Sequence, residues 1–92
     1  MFTTQLIDKV MSLYYLSRRD VARMLAVEEK TVHGWVSGET DIVGLPKDVL
    51  QALYASGIAM PPQSRLVIGA RLPLGIGAVI HQGLLGILRD VP

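Results

Sequence analysis

The 92-residue chain has no cysteine. That absence removes disulfide frameworks, thiolate zinc sites and thiol nucleophiles together, and a cytosolic compartment fits it. Charge is scarce too. Only 18% of the residues are charged, and nine Lys and Arg against eight Asp and Glu leave a formal charge of +1. So even a balance excludes a histone-like protein that binds polyanions by bulk charge, so any contact with nucleic acid must come from individually placed groups. Long apolar runs are missing as well. The longest uncharged stretch, Leu72 to Leu88, is 17 residues long and is interrupted by Pro73, four glycines, His81 and Gln82. It falls short of the roughly 20 residues of a bilayer span, and no membrane association is expected. At the amino end, Asp8 and Lys9 stand where a signal peptide would need an apolar run.

Catalytic inventory is equally thin. Gly75-Ile76-Gly77 lacks the third glycine and the strand-helix-strand context of a dinucleotide fingerprint. There is no phosphate-loop lysine, and His33 and His81 are isolated from any nucleophile or metal-ligand spacing. The expectation is a protein that is not an enzyme and carries no cofactor or metal. What the chain does have is apolar residues, half of its length. That composition suits one small domain with a short appendage and apolar surface to spare, which in a small protein points to a partner.

The chain divides near Ala59-Met60-Pro61-Pro62-Gln63, because a proline pair cannot continue a helix. Before that point lie thirteen charged residues with a net charge of −1; after it lie Arg65, Arg71, Arg89 and Asp90. Residues 1–59 are expected to form one unit and residues 60–92 an arm. The first part reads as four short helices. Leu6, Val10, Leu13 and Tyr14 follow helical spacing after Thr3 and Thr4. Ser17 can cap a second helix, with Asp20 in its first turn and Val21, Ala22, Met24 and Leu25 inside. Val27 leads into a third, with Val32, Trp35 and Val36 on one side and Gly38 at its end. Pro46 suits the first turn of a fourth, whose stripe of Val49, Leu50, Leu53 and Tyr54 ends at Gly57.

The informative stretch runs from Arg18 to Trp35. A small residue, Ala22, stands where two helices would touch; Leu25 and Val27 close the corner; Val32 and Trp35, three apart, pin the second helix to the core. This pattern resembles the helix-turn-helix of the phage repressor and Cro family, and with its flanking helices the resemblance covers roughly residues 3 to 57. Trp35 followed by Ser37-Gly38-Glu39 looks like that family's usual ending of the recognition helix. The resemblance implies a mainly α, compact four-helix domain of the lambda-repressor type, whose third helix enters the major groove of DNA. Two positions depart from the family. Ala26 stands at a turn where glycine is preferred for its left-handed backbone, a loss of about 1 kcal/mol. Glu28 and Glu29 open the third helix where serine or threonine is usual. Carboxylates suit a helix N-terminus but repel phosphates, although a glutamate can accept from cytosine N4.

Carried over by position, the outward residues of the third helix are Glu28, Glu29, Lys30, Thr31, His33, Gly34 and Ser37. Of these, Glu29, Lys30 and His33 are expected at base edges, with Thr31 and Ser37 at the DNA backbone. Arg18 takes the place of a backbone-contacting glutamine, and Arg19 and Arg23 flank it as further phosphate contacts.

From Leu66 to Ile80 every even position is apolar, a period-two pattern that favours extended strand with a break near Pro73 to Gly77. A helix from Pro73 to Arg89, with Ile76, Ile80, Gly83 and Ile87 on one face, competes with it. The reading adopted is extended segments to about His81 and then a short terminal helix. Such an apolar, glycine-rich arm suits a symmetric dimer interface built from Leu66, Ile68, Leu72, Leu74, Ile76, Ile80, Leu84 and Ile87. The functional expectation is a phage- or plasmid-type transcriptional regulator, a repressor that binds a palindromic operator as a homodimer. The alternative is a protein-interaction module, an antitoxin or antiactivator, that uses its helices and arm to bind another protein. Near-neutral charge and Glu28-Glu29 favour the alternative; the spacing from Ser17 to Trp35 favours the first.

Overall fold

The computed structural model describes residues 3–75. They form five α-helices and no strand: α1 (Thr3–Tyr14), α2 (Arg18–Leu25), α3 (Glu29–Ser37), α4 (Leu45–Ala59) and α5 (Pro62–Arg71), followed by a 3-10 turn at Leu72–Leu74. The central element is α1, against which α3, α4 and α5 all pack; α2 lies against α3 and the 3-10 turn.

The centre of the molecule follows from spacing. On α1, Leu6, Ile7, Val10 and Tyr14 fall on one helical face and are buried, with Leu13 half-buried beside them. They meet Val21, Ala22 and Met24 of α2, Val32 and Trp35 of α3, and Leu50 and Leu53 of α4 in one continuous core. Tyr14 is completed by a polar contact: its hydroxyl donates to the Leu53 carbonyl at 2.6 Å, tying α1 to α4. Burial pushes the Tyr14 phenol up to about 12, and the nearby Arg65 guanidinium partly offsets that rise. Ile42, in the link between α3 and α4, is also buried. It stands in no helical stripe, so periodicity does not single it out.

Three expectations change. First, α4 does not stop at Gly57 but continues to Ala59. Gly57 is buried because Leu13 and the Tyr14 ring press on it, where an added Cβ would lie about 3.1 Å from both. Second, the described part of the expected strand, Leu66 to Leu74, is helical. Pro62 occupies the first turn of α5, where a missing N–H costs nothing. Third, among the described residues from the break at Ala59–Pro62 onward, Met60, Ile68 and Leu72 enter the same core as the first four helices. Ile68 and Leu72 are 3% and 0% exposed, so the fold itself consumes two residues expected at a dimer interface. Each such side chain contributes roughly 1.5–3 kcal/mol by leaving water. Of the other expected interface residues, Leu66 and Leu74 are exposed. Ile76, Ile80, Leu84 and Ile87 lie outside the described residues, as does the expected terminal helix.

The seating of α5 depends on one residue. Gly69 lies so close to the end of α1 that a Cβ on it would stand 1.9 Å from the Tyr14 carbonyl oxygen. No side chain fits there, and the helix reaches its place only because position 69 has none.

Candidate nucleic-acid interface

The connection between α2 and α3 is built from the chain outward. Ser17 caps α2 by accepting from the Asp20 N–H, and the Asp20 carboxylate accepts from the Ser17 N–H, a reciprocal capping box. At the other end Ala26 adopts φ 56 and ψ 44, the left-handed conformation expected at this turn. The Val27 N–H then reaches back to the Ala22 carbonyl at 3.0 Å. Only residues 26–28 separate the two helices. Glu28 accepts through its carbonyl from the N–H groups of Thr31 and Val32 and so starts α3, though its side chain caps nothing. Gly38 ends the helix, and the Gly34 carbonyl gathers the N–H groups of Gly38, Glu39 and Thr40.

Anchoring of α3 is as the spacing requires. Val32 is fully buried and Trp35 is 6% exposed, which makes the tryptophan a core residue and not a stacking platform. Gly34 is a correction: it is buried against the chain beyond the helix, where a Cβ would stand 3.0 Å from Thr40 Oγ1, and does not face outward.

The remaining expected contact residues are on the surface. Glu29, Lys30, His33 and Ser37 are exposed on α3 and Thr31 is half-buried; Arg18, Arg19 and Arg23 are exposed on α2. Arg19 and Arg23, four residues apart, share a face of α2. The structure brings two of these residues together directly: Arg18 Nη1 lies 2.6 Å from His33 Nδ1, joining the start of α2 to the middle of α3. Sequence spacing alone gave no sign of this pairing, since fifteen residues separate the partners. Lys30 leans back on Glu28, with Nζ 3.4 Å from its carboxylate; both side chains are largely exposed, so the pair is weak and easily broken. The Ser37 hydroxyl donates to the Gly34 carbonyl at 3.2 Å.

Among the described residues no cluster of histidine, aspartate and glutamate could hold a metal ion, and no helix is long and apolar enough to cross a membrane. Compared with protein-family models, with curated proteins and with solved structures, the chain matches none.

Proposed function

We propose that the chain is a helix-turn-helix transcriptional regulator of the phage or plasmid type, which binds a palindromic operator as a dimer and represses by excluding polymerase. The support is the α2–α3 pair: a capped first helix, a left-handed Ala26, a three-residue link and a second helix pinned by Val32 and Trp35. On this reading α3 lies in the major groove with Glu29, Lys30 and His33 at base edges. Arg18, Arg19 and Arg23 meet phosphates, with Thr31 and Ser37 beside them. Dimerisation then falls to surface that the core leaves free, including Leu66 and Leu74, together with the apolar sequence beyond Gly75.

The test is binding to duplex DNA from upstream of the protein's own coding sequence, measured across a salt series. Arg18→Ala with Arg23→Ala should weaken binding to all sequences and flatten the salt slope by about one unit per lost contact. An unchanged slope removes the phosphate assignment.

A second reading has one observation in its favour. Glu28 and Glu29 put two carboxylates at the start of α3, and Glu28 engages Lys30. A helix so opened suits a basic protein surface better than a phosphate backbone, as an antitoxin or antiactivator would require. A chain that fails to shift DNA but co-purifies with a defined basic protein would favour this reading.

A further inference from the structure

The Arg18–His33 contact determines more than the position of a ring. A guanidinium has N–H donors, no acceptor, and does not lose its proton in proteins. At 2.6 Å from Arg18 Nη1, His33 Nδ1 must therefore be the acceptor. That leaves a neutral imidazole with its proton on Nε2. Nε2 stands on the far side of the ring from Arg18, so the nitrogen that His33 offers away from α2 is a donor.

We infer that His33 selects guanine, and that Arg18 is the positioning residue that holds it in the donor tautomer. The inference rests on the DNA-binding reading above. In the major groove guanine presents two acceptors, N7 and O6; adenine pairs its N7 acceptor with an N6 donor, thymine offers O4 beside a methyl group, and cytosine presents a donor. A lone N–H is best satisfied at the guanine edge. Against cytosine it would meet another N–H and leave both unpaired. Without Arg18 the ring is free to turn or to exchange tautomers, and it could then accept as readily as donate. Arg18 thus serves twice, with its charge toward phosphate and its N–H toward His33.

The experiment uses the full chain and a pool of duplexes with a randomised centre, enriched by binding at one salt concentration. It compares the unmodified protein with H33A, R18A and R18K. Arg18 and His33 are both exposed, so none of these changes touches the core. The unmodified protein should enrich a site with guanine at a position where cytosine lowers affinity about five- to tenfold. H33A should lose the preference at that position and keep the others. R18A should relax the same position and weaken binding everywhere. R18K, which retains a cationic donor, should restore the guanine. Nitrogen-15 NMR of the imidazole supplies a reading independent of DNA. It should show the proton on Nε2 and an acceptor Nδ1 in the unmodified protein and R18K, with the acceptor signature lost in R18A. A guanine retained by H33A, or a His33 proton found on Nδ1, overturns the inference and leaves DNA binding standing. Failure of the unmodified protein to enrich any duplex overturns the DNA-binding reading and the inference with it.

Discussion

The α2–α3 pair and the α5 segment are both short helical pieces, yet they hold their places by opposite means. In α2 and α3 the restraints are local and many: the Ser17–Asp20 box, the Val27 to Ala22 hydrogen bond, the left-handed Ala26 and the ending at Gly38. Each lies within a few residues of its partner, so each is written into adjacent sequence. In α5 the restraints are distant and few. Ile68 and Leu72 reach into a core made elsewhere, and Gly69 admits the end of α1. A region held by many near contacts degrades gradually under mutation; one held by a few distant contacts loses much at each of them.

That contrast orders four tests by size. The largest effect is expected at Gly69→Ala, whose methyl would collide with the Tyr14 carbonyl. Either α5 lifts away or α1 distorts, at a cost of about 3 kcal/mol or more in denaturant unfolding. A loss under about 1 kcal/mol would mean that α5 does not lie against α1. Next, Ile68→Ala should cost about 2–5 kcal/mol. Leu66→Ala, at a position 58% exposed, should stay within about 0.5 kcal/mol in the isolated chain. Equal costs at the two positions would restore the extended reading of this segment.

The third test concerns Tyr14, whose phenol is raised from 10.0 to about 12 by burial. A folded-state value above the unfolded one favours the protonated form in the fold. Its contribution to stability is complete below pH 10 and is lost as the pH rises toward 12, on the order of 2 kcal/mol. Tyr14→Phe should lower stability at neutral pH by about 1 kcal/mol, since the Leu53 carbonyl loses its donor. It should also remove this part of the alkaline decline, as urea midpoints measured between pH 8 and 11 would register. The smallest effect is a gain. Ala26→Gly relieves a left-handed alanine and should stabilise by up to about 1 kcal/mol without moving α3. A loss at this position would show that the alanine methyl makes contacts worth more than its backbone strain.

The same contrast explains what was legible in the sequence. Ser17 and Asp20, Ala22, Ala26, Val32 and Trp35 fall where spacing and turn chemistry put them, because capping and left-handed turns are decided by neighbours along the chain. The α5 segment misled for a reason visible in its own numbers. Apolar residues at every even position satisfy a strand, but the same run contains pairs four apart. Ile68 and Leu72 are such a pair, and burial chose them over Leu66 and Leu74. What decided between the two periods was the space beside the Tyr14 carbonyl and the proline start at Pro62, and the first of these belongs to tertiary structure alone. The candidate interface was legible as a set of exposed residues, apart from the buried Gly34 and the half-buried Thr31. Its contact between the two helices, Arg18 with His33, was not, since no periodicity joins the first residue of one helix to the middle of the next.

The anchoring of α3 has a consequence for the history of such a molecule. Val32, Gly34 and Trp35 hold the helix from its inner side, while Glu29, Lys30 and His33 stand clear of the core. On the proposed DNA-binding reading, cohesion and recognition fall to different residues of one nine-residue helix. Substitutions on the outer side can accumulate, be selected and be replaced with almost no penalty in folding. If that reading holds, a lineage built on this scaffold can retarget by rewriting three letters, and relatives that agree on Val32 and Trp35 need share nothing at 29, 30 and 33.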